Sequence, residues 1–238
     1  MNSDQVSSLL AGAEIDDAVL TLRPDYRAML VVVTGVRGGP TDENSDARLR
    51  EAERFIRSRL AGGPPETLPQ IAAWREAFLS FGIKPRVARS SVEALIRRVN
   101  KGLPRIDRLT DVYNAISVQH VLPIGGENLD RYVGPPRLVR ALGDEAFDTV
   151  VDGSANTVSP APGEVTWRDG LGITCRRWNW RQCIRTRLDE STENALFILD
   201  ALDPTTAESL QAATDSLIAA VTAQSPEATV TSRLLQRP

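Results

Sequence analysis

Apolar positions at steps of three and four residues alternate along this chain with short unbroken apolar runs, and the two patterns predict different elements. Over residues 44–60, Ala47, Leu49, Ala52, Phe55, Ile56 and Leu60 mark one face of an amphipathic helix, with Asn44 or Ser45 as its cap. Gly62-Gly63-Pro64-Pro65 ends that helix. The same period returns over 68–81 through Ile71, Trp74, Phe78 and Leu79. Ser90 followed by Glu93 gives a capping box for a helix over 92–100, and residues 205–221 carry the helical period again through Leu210, Ala213, Leu217 and Ala220. The Val-rich run 28–36, closed by Gly38-Gly39-Pro40, predicts a buried strand. Shorter strands are predicted at 118–122, 138–141, 164–167, 173–176, 195–199 and 228–235. Helices and strands interleave without a βαβ rhythm, so the fold class is α+β rather than doubly wound α/β. No repeat or low-complexity tail interrupts residues 1–238, which read as one domain.

Composition narrows the function classes. With 42% apolar and 25% charged residues the chain falls in the ordinary water-soluble range. Its strongest apolar stretch, 28–33, is far below the ~20 residues a membrane helix requires. The N-terminus is polar rather than signal-like, so the expected compartment is the cytoplasm. Cys175 and Cys183, with seven residues between them, fit neither a disulfide framework nor a zinc site. No metal or cofactor is expected: a Walker-type phosphate loop is absent, and there is one histidine, His120. A triad or a histidine metal cluster is therefore out of reach unless His120 serves it.

The net charge of -3 is unevenly spread. Residues 84–108 hold eight basic and two acidic side chains, and residues 176–188 hold five basic and none acidic, inside an otherwise acidic chain. Both islands are rich in arginine, which suits bidentate phosphate contacts and base stacking. Arg97, Arg98, Arg176, Arg177, Arg181 and Arg185 are accordingly the candidates for RNA contact, against the alternative that they pair internally with the acidic blocks.

The run from Ile106 to Asn114 resembles a segment of the editing module, called B3/B4, of the bacterial phenylalanyl-tRNA synthetase β subunit. Ile124-Gly125-Gly126 stands where that family has a Gly-Gln-Pro turn, residues 138–145 are similar to its next conserved step, and residues 192–202 to its later strand. The chain resembles still more the freestanding bacterial B3/B4-domain proteins, in Arg89 to Val99 and in Cys175-Arg176-Arg177-Trp178-Asn179-Trp180-Arg181-Gln182. The likeness covers about residues 75–203. It implies a B3/B4-type α+β mixed fold with intertwined sheet layers and flanking helices. It also implies deacylation of misacylated tRNA in trans, typically of tyrosine, with the charged 3′ end of tRNA as partner and neither DNA nor membrane involved. A non-catalytic module binding tRNA or an aromatic amino acid is the alternative.

An aminoacyl ester is already activated, so its hydrolysis asks for a placed water and dipoles on the developing oxyanion more than for a strong base. On the resemblance, the catalytic candidates are Asn114, Glu145 and Asp200. Tyr113, Asp144, Glu164, Trp178, Asn179 and Trp180 are the candidates for substrate binding. Trp178 and Trp180 flank Asn179, and strand alternation would put both indoles on one face. The family's histidine after the glycine-rich turn is replaced within Glu127-Asn128-Leu129-Asp130, and His120, upstream of the turn, is not given its role.

Overall fold

The structure is a computed structural model and describes residues 1–151 and 153–237. In chain order its elements are α1 (Ser3–Ala11), β1 (Glu14–Ile15), α2 (Asp17–Leu22), β2 (Arg27–Thr34), α3 (Glu43–Leu60), α4 (Pro69–Ser80), α5 (Ser91–Arg98), α6 (Arg108–His120), β3 (Ile124–Asn128), β4 (Arg137–Arg140), β5 (Phe147–Val151), β6 (Ser154–Val158), β7 (Val165–Arg168), β8 (Ile173–Arg176), β9 (Arg181–Gln182), β10 (Asn194–Ala201), α7 (Ala207–Gln224) and β11 (Thr229–Gln236). They build an α+β fold. One sheet is antiparallel in the order β11-β2-β10-β3, a second runs β1-β4-β7-β8-β9, and β5 and β6 pair as a hairpin.

Both faces of β2 and β10 are covered, which is why these strands read as unbroken apolar runs. Ala28, Leu30, Val32, Leu196 and Ile198 point into a core between the two sheets, shared with Trp74, Trp167 and Trp178. The alternate residues Met29, Val31, Val33, Phe197 and Leu199 enter a second core beneath α6 and α7. A third core joins α3 and α5 to the far side of α6. The two sheets draw on interleaved parts of the chain. Residues outside the 75–203 stretch are woven in as well: β2 near the N-terminus pairs along its whole length with β11 near the C-terminus.

Several expectations are corrected. Residues 118–122 are not a strand but the last turn of α6 and its left-handed cap, Val121 at φ 53°. Every residue of α6 from Leu109 to Val118 is buried, so the helical period is hidden. Ile124-Gly125-Gly126 is not a turn but the start of β3, held in register by the edge of β10. Asp42, rather than Asn44 or Ser45, caps α3, its carboxylate accepting from the Ser45 amide at 2.8 Å. Ser90 caps α5, but the expected reciprocal contact from Glu93 is missing because that carboxylate turns to Arg75 and Arg97. The sequence pattern did not predict α1, α2 or the β5–β6 hairpin. Among the described residues no helix is long and apolar enough to cross a membrane.

Candidate functional site

A cavity of about 290 Å³ opens at the β3 edge of the four-stranded sheet, between α5, α6 and the four-residue turn from Arg177 to Trp180 that joins β8 to β9. Strand parity decides which side chains reach it. Glu127 is paired with Leu196 and Gly125 with Ile198, and the Asp200 amide donates to the Pro123 carbonyl one step further on. Glu127, Gly125, Ile198 and Asp200 therefore lie on one face of the sheet and line the same cavity. Gly125 keeps its middle open: a Cβ there would meet only Gln182 Nε2, at an unstrained 3.6 Å. Gly126 faces the other way, and a Cβ would collide with Leu188 Cδ1 at 2.6 Å and Tyr113 Cε1 at 2.9 Å.

Asp200, buried at one end of the cavity, accepts hydrogen bonds from the Tyr26 hydroxyl at 2.5 Å and from Asn179 Nδ2 at 3.2 Å. Burial pushes its carboxyl up to about 7 despite those donors, and burial next to Asp200 lifts the Tyr26 phenol well above its usual value. Glu127, also buried, accepts from the Thr186 hydroxyl and is pushed up by burial to about 8. The Cys175 thiol, raised well above its usual range by burial and by the fields of Glu127 and Asp200, is not a thiolate nucleophile. Burial likewise raises the Tyr113 phenol. Four polar groups on the cavity wall lack a well-formed hydrogen bond among the described residues: Ser91 Oγ, Asn179 Oδ1, the Trp167 indole N–H, which faces the Asp200 carboxyl, and the Trp178 indole N–H, which faces the Tyr26 hydroxyl. Trp167, Trp178 and Asn179 are each more than nine-tenths buried. Orphaned groups of this kind are rare and point to a bound molecule that completes them.

Of the residues singled out in the sequence, the structure gathers Asn114, Tyr113, Asp200, Trp178, Asn179, Trp180, Arg98 and Arg181 around this cavity. Asn114 lies in the middle of α6, not at a turn. Trp178 and Trp180 do not share a strand face, because they fall in the turn, where Arg177 and Trp178 take left-handed φ angles of 48° and 67°. That backbone is strained for side chains of this size. It sends Trp178 into the core, edge-on to Tyr26 and Trp74, and leaves Trp180 half-buried between two guanidinium groups, Arg177 at 4.1 Å and Arg181 at 4.5 Å from its ring centre.

Other candidates lie off this cavity. Glu145 curls back to accept from the amides of Leu142 and Gly143 at 2.9 and 3.0 Å, closing its own turn, and Asp144 is exposed beside it, off the cavity wall. Glu164 is buried and clamps Arg176 through two bonds of 2.8 and 2.7 Å, while Arg177 Nε lies 3.6 Å from it. Arg185 is held by Asp169 through bonds of 2.8 and 2.9 Å, and Arg97 by Glu93 and Glu66. Four of the six arginines proposed for RNA thus serve internal carboxylates. Arg98 and Arg181 are exposed at the cavity and have no ion-pair partner among the described residues. Lone His120 is not on the cavity wall; its Nε2 lies 3.2 Å from Ser216 Oγ on α7, and burial lowers its pKa. Sequence reasoning passed over Glu127, Trp167 and Gln182 as site residues. The one available signal for Glu127 was its two-residue offset from Gly125, visible only once 124–128 is known to be a strand.

The sequence profile described as the B3/4 domain matches residues 73–230. The solved structures similar to this chain include an N-terminal fragment of the phenylalanyl-tRNA synthetase β subunit from Pyrococcus horikoshii. The two are 13% identical, with a TM-score of 0.45, over 94% of this chain and 50% of the fragment. This chain thus spans half of that fragment's length. No curated protein matches it.

Proposed function

The chain belongs to the B3/4 domain family, and from that membership we propose that its cavity hydrolyses the ester linking a wrongly attached amino acid to the 3′ end of a tRNA, acting in trans. The observation that carries this reading is the convergence of unpartnered neutral donors and buried acids on one aromatic-lined cavity with two free arginines beside it. Ester hydrolysis passes through a tetrahedral oxyanion, which neutral N–H donors in a water-poor site stabilise without reorganising. The indole N–H groups of Trp167 and Trp178 and the Asn114 amide supply such donors. A carboxyl pushed up to about 7, as Asp200 is, accepts a proton from the attacking water and returns one to the departing ribose oxygen, which leaves as a hydroxyl. Arg98 and Arg181 offer phosphate contacts, and the Trp180 face between its two guanidinium groups is a platform against which the terminal nucleotides dock.

The direct experiment is to incubate the purified chain with a panel of mischarged tRNAs, tyrosyl-tRNA for phenylalanine among them, and to follow release of labelled amino acid. The expected result is accelerated deacylation of at least one pair, reduced by Asn114→Ala roughly 10²-fold, the scale of a lost oxyanion or positioning contact. No acceleration for any pair removes the hydrolase reading. Tight binding of a charged 3′ end without turnover would favour a non-catalytic binding module, which the absence of an imidazole from the cavity makes the second reading.

A further inference from the structure

Four buried acids in this fold come with guanidinium partners, Glu53 with Arg105, Glu93 with Arg75 and Arg97, Glu164 with Arg176 and Asp169 with Arg185, while Asp107 and Asp111 are held by hydroxyl and amide donors away from any cavity acid pair. Glu127 and Asp200 are buried to 1% and 2% exposure, and among the described residues neither has a cation within ion-pair distance. Both line the same cavity, on the same sheet face, with the side-chain-free Gly125 between them. Glu127 is level with Leu196, four residues of β10 from Asp200, so the two Cα atoms stand about 14 Å apart along the cavity floor. A side chain and a hydrogen bond at each end leave room for one molecule reaching from acid to acid. Its walls are aromatic, from Tyr113, Trp167, Trp178 and Trp180, a lining that attracts organic cations. At the Asp200 end the unpartnered Asn179 Oδ1 asks for a donor, and the indole N–H groups of Trp167 and Trp178, turned toward Asp200 and the Tyr26 hydroxyl without well-formed bonds, can also donate to a ligand carbonyl.

Deepening the aminoacyl reading of this same cavity, we propose that the amino acid it takes is a diamino acid, one ammonium group seated at Asp200 and the other at Glu127, as in an ester or amide of lysine or ornithine. Each ammonium supplies a charge partner to these carboxyls, and Asp200 then positions the amino acid instead of serving as the acid–base of the ester step. An acid that is protonated in the empty cavity ionises as the ammonium arrives, forming a carboxylate–ammonium pair and releasing its proton to solvent. The groups facing Asp200 are Tyr26, Asn179, Trp167 and Cys175. Those facing Glu127 are Thr186, Gln182, Tyr113, Tyr132 and Cys175, together with Arg185, already committed to Asp169. Arg98 and Arg181 also line the cavity but among the described residues form no ion pair with either acid, so the released protons are assigned to the two acids.

The test is calorimetric titration of the full chain with lysinamide and with norleucinamide, which keeps the α-ammonium and carbonyl but ends in a methyl group, at pH 7 in two buffers of different ionisation enthalpy. Lysinamide should bind at least roughly tenfold more tightly, as expected when a site built for a polar group meets an analogue lacking it. It should also release more protons than norleucinamide. Of the near-isosteric substitutions Asp200→Asn and Glu127→Gln, one should abolish the lysinamide preference while sparing norleucinamide, and the other should weaken both. Equal affinities, preference for norleucinamide, no binding of either, or no proton release on lysinamide binding overturns the inference. Deacylation of tyrosyl-tRNA without a lysinamide preference overturns it too while leaving the hydrolase reading intact; a lysinamide preference without deacylation of any tRNA does the reverse.

Discussion

At the scale of single residues, the site is governed by two carboxyls that the fold buries without charge partners. Both have folded-state pKa values raised above their ordinary ones, Asp200 from 3.8 to about 7 and Glu127 from 4.5 to about 8. The contribution of such a group to stability is complete below its ordinary pKa and is lost as pH rises through the raised one. The ligand-free protein should therefore lose stability progressively between about pH 4 and pH 8, by roughly a few kcal/mol per carboxyl. Urea denaturation at pH 5, 7 and 9 measures this, and Asp200→Asn and Glu127→Gln, which cannot ionise, should each flatten the decline. A decline equally steep in both variants would place its origin elsewhere. The neighbouring glycines give a second residue-scale prediction. Gly126→Ala puts a methyl group against the rigid ring of Tyr113 and should cost about 1–3 kcal/mol. Gly125→Ala meets ordinary contact distance and should leave the melting temperature nearly unchanged, while narrowing the cavity and weakening ligand binding or turnover.

At the scale of elements, the strained β8–β9 turn is held by a carboxylate from the loop that leads into β7. Glu164, immediately before β7, grips Arg176 and accepts from the Arg177 amide at 3.2 Å, and the Trp178 amide donates to the Val165 carbonyl at 2.7 Å. Left-handed backbone at Arg177 and Trp178 costs on the order of 1–3 kcal/mol per residue and persists because these contacts fix it. Glu164→Ala leaves a largely buried guanidinium unpaired and frees the turn, so it should destabilise the protein by about 3–5 kcal/mol in chemical denaturation and alter the near-ultraviolet circular dichroism of the tryptophan cluster. Glu145→Ala, which loses only bonds to two turn amides, should cost far less. The same elements explain what was legible in the sequence. α3, α4 and α7 each bury one face and show the helical period; β2 and β10, covered on both faces, show continuous apolar runs. α6 is buried almost all round, which erases its period and made its end read as a strand. β3 is rich in glycine and polar residues, and becomes a strand because β10 offers it an edge, a non-local cause that no local pattern carries. Asn114, Asp200, Trp178, Asn179 and Trp180, singled out in the sequence, line the cavity, whereas the cavity-lining Glu127 is not legible there because its facing depends on β3 being a strand. Glu145 and Glu164 lie off the cavity, which no local pattern shows, because a carboxylate that holds a turn and one that lines a pocket look alike until their partners are known.

At the scale of the whole molecule, the arginine-rich islands divide into two physical classes. Arg97, Arg176 and Arg185 neutralise carboxylates inside the fold or along its flank, and Arg177 lies between Glu164 and the Trp180 ring. Arg98 and Arg181 carry exposed charge beside the cavity of a protein whose net charge is -3. An acidic molecule repels a polyanion at long range, so a tRNA that reaches this cavity is guided by this local pair and by stacking on Trp180 rather than by the overall field. Each phosphate contact releases condensed counterions, which makes the logarithm of affinity fall linearly with the logarithm of salt concentration. Arg98→Ala with Arg181→Ala should weaken tRNA binding and lower that slope by about 2, one for each lost contact, with little change in folding stability. Arg185→Ala should do the opposite: it leaves the buried Asp169 carboxylate unpaired, so the denaturation midpoint falls while the salt slope of the remaining folded protein is preserved. Measuring both quantities on both variants separates the arginines that meet solvent phosphate from those that hold the fold, and an unchanged slope in the Arg98 and Arg181 double variant would remove the tRNA from this side of the cavity.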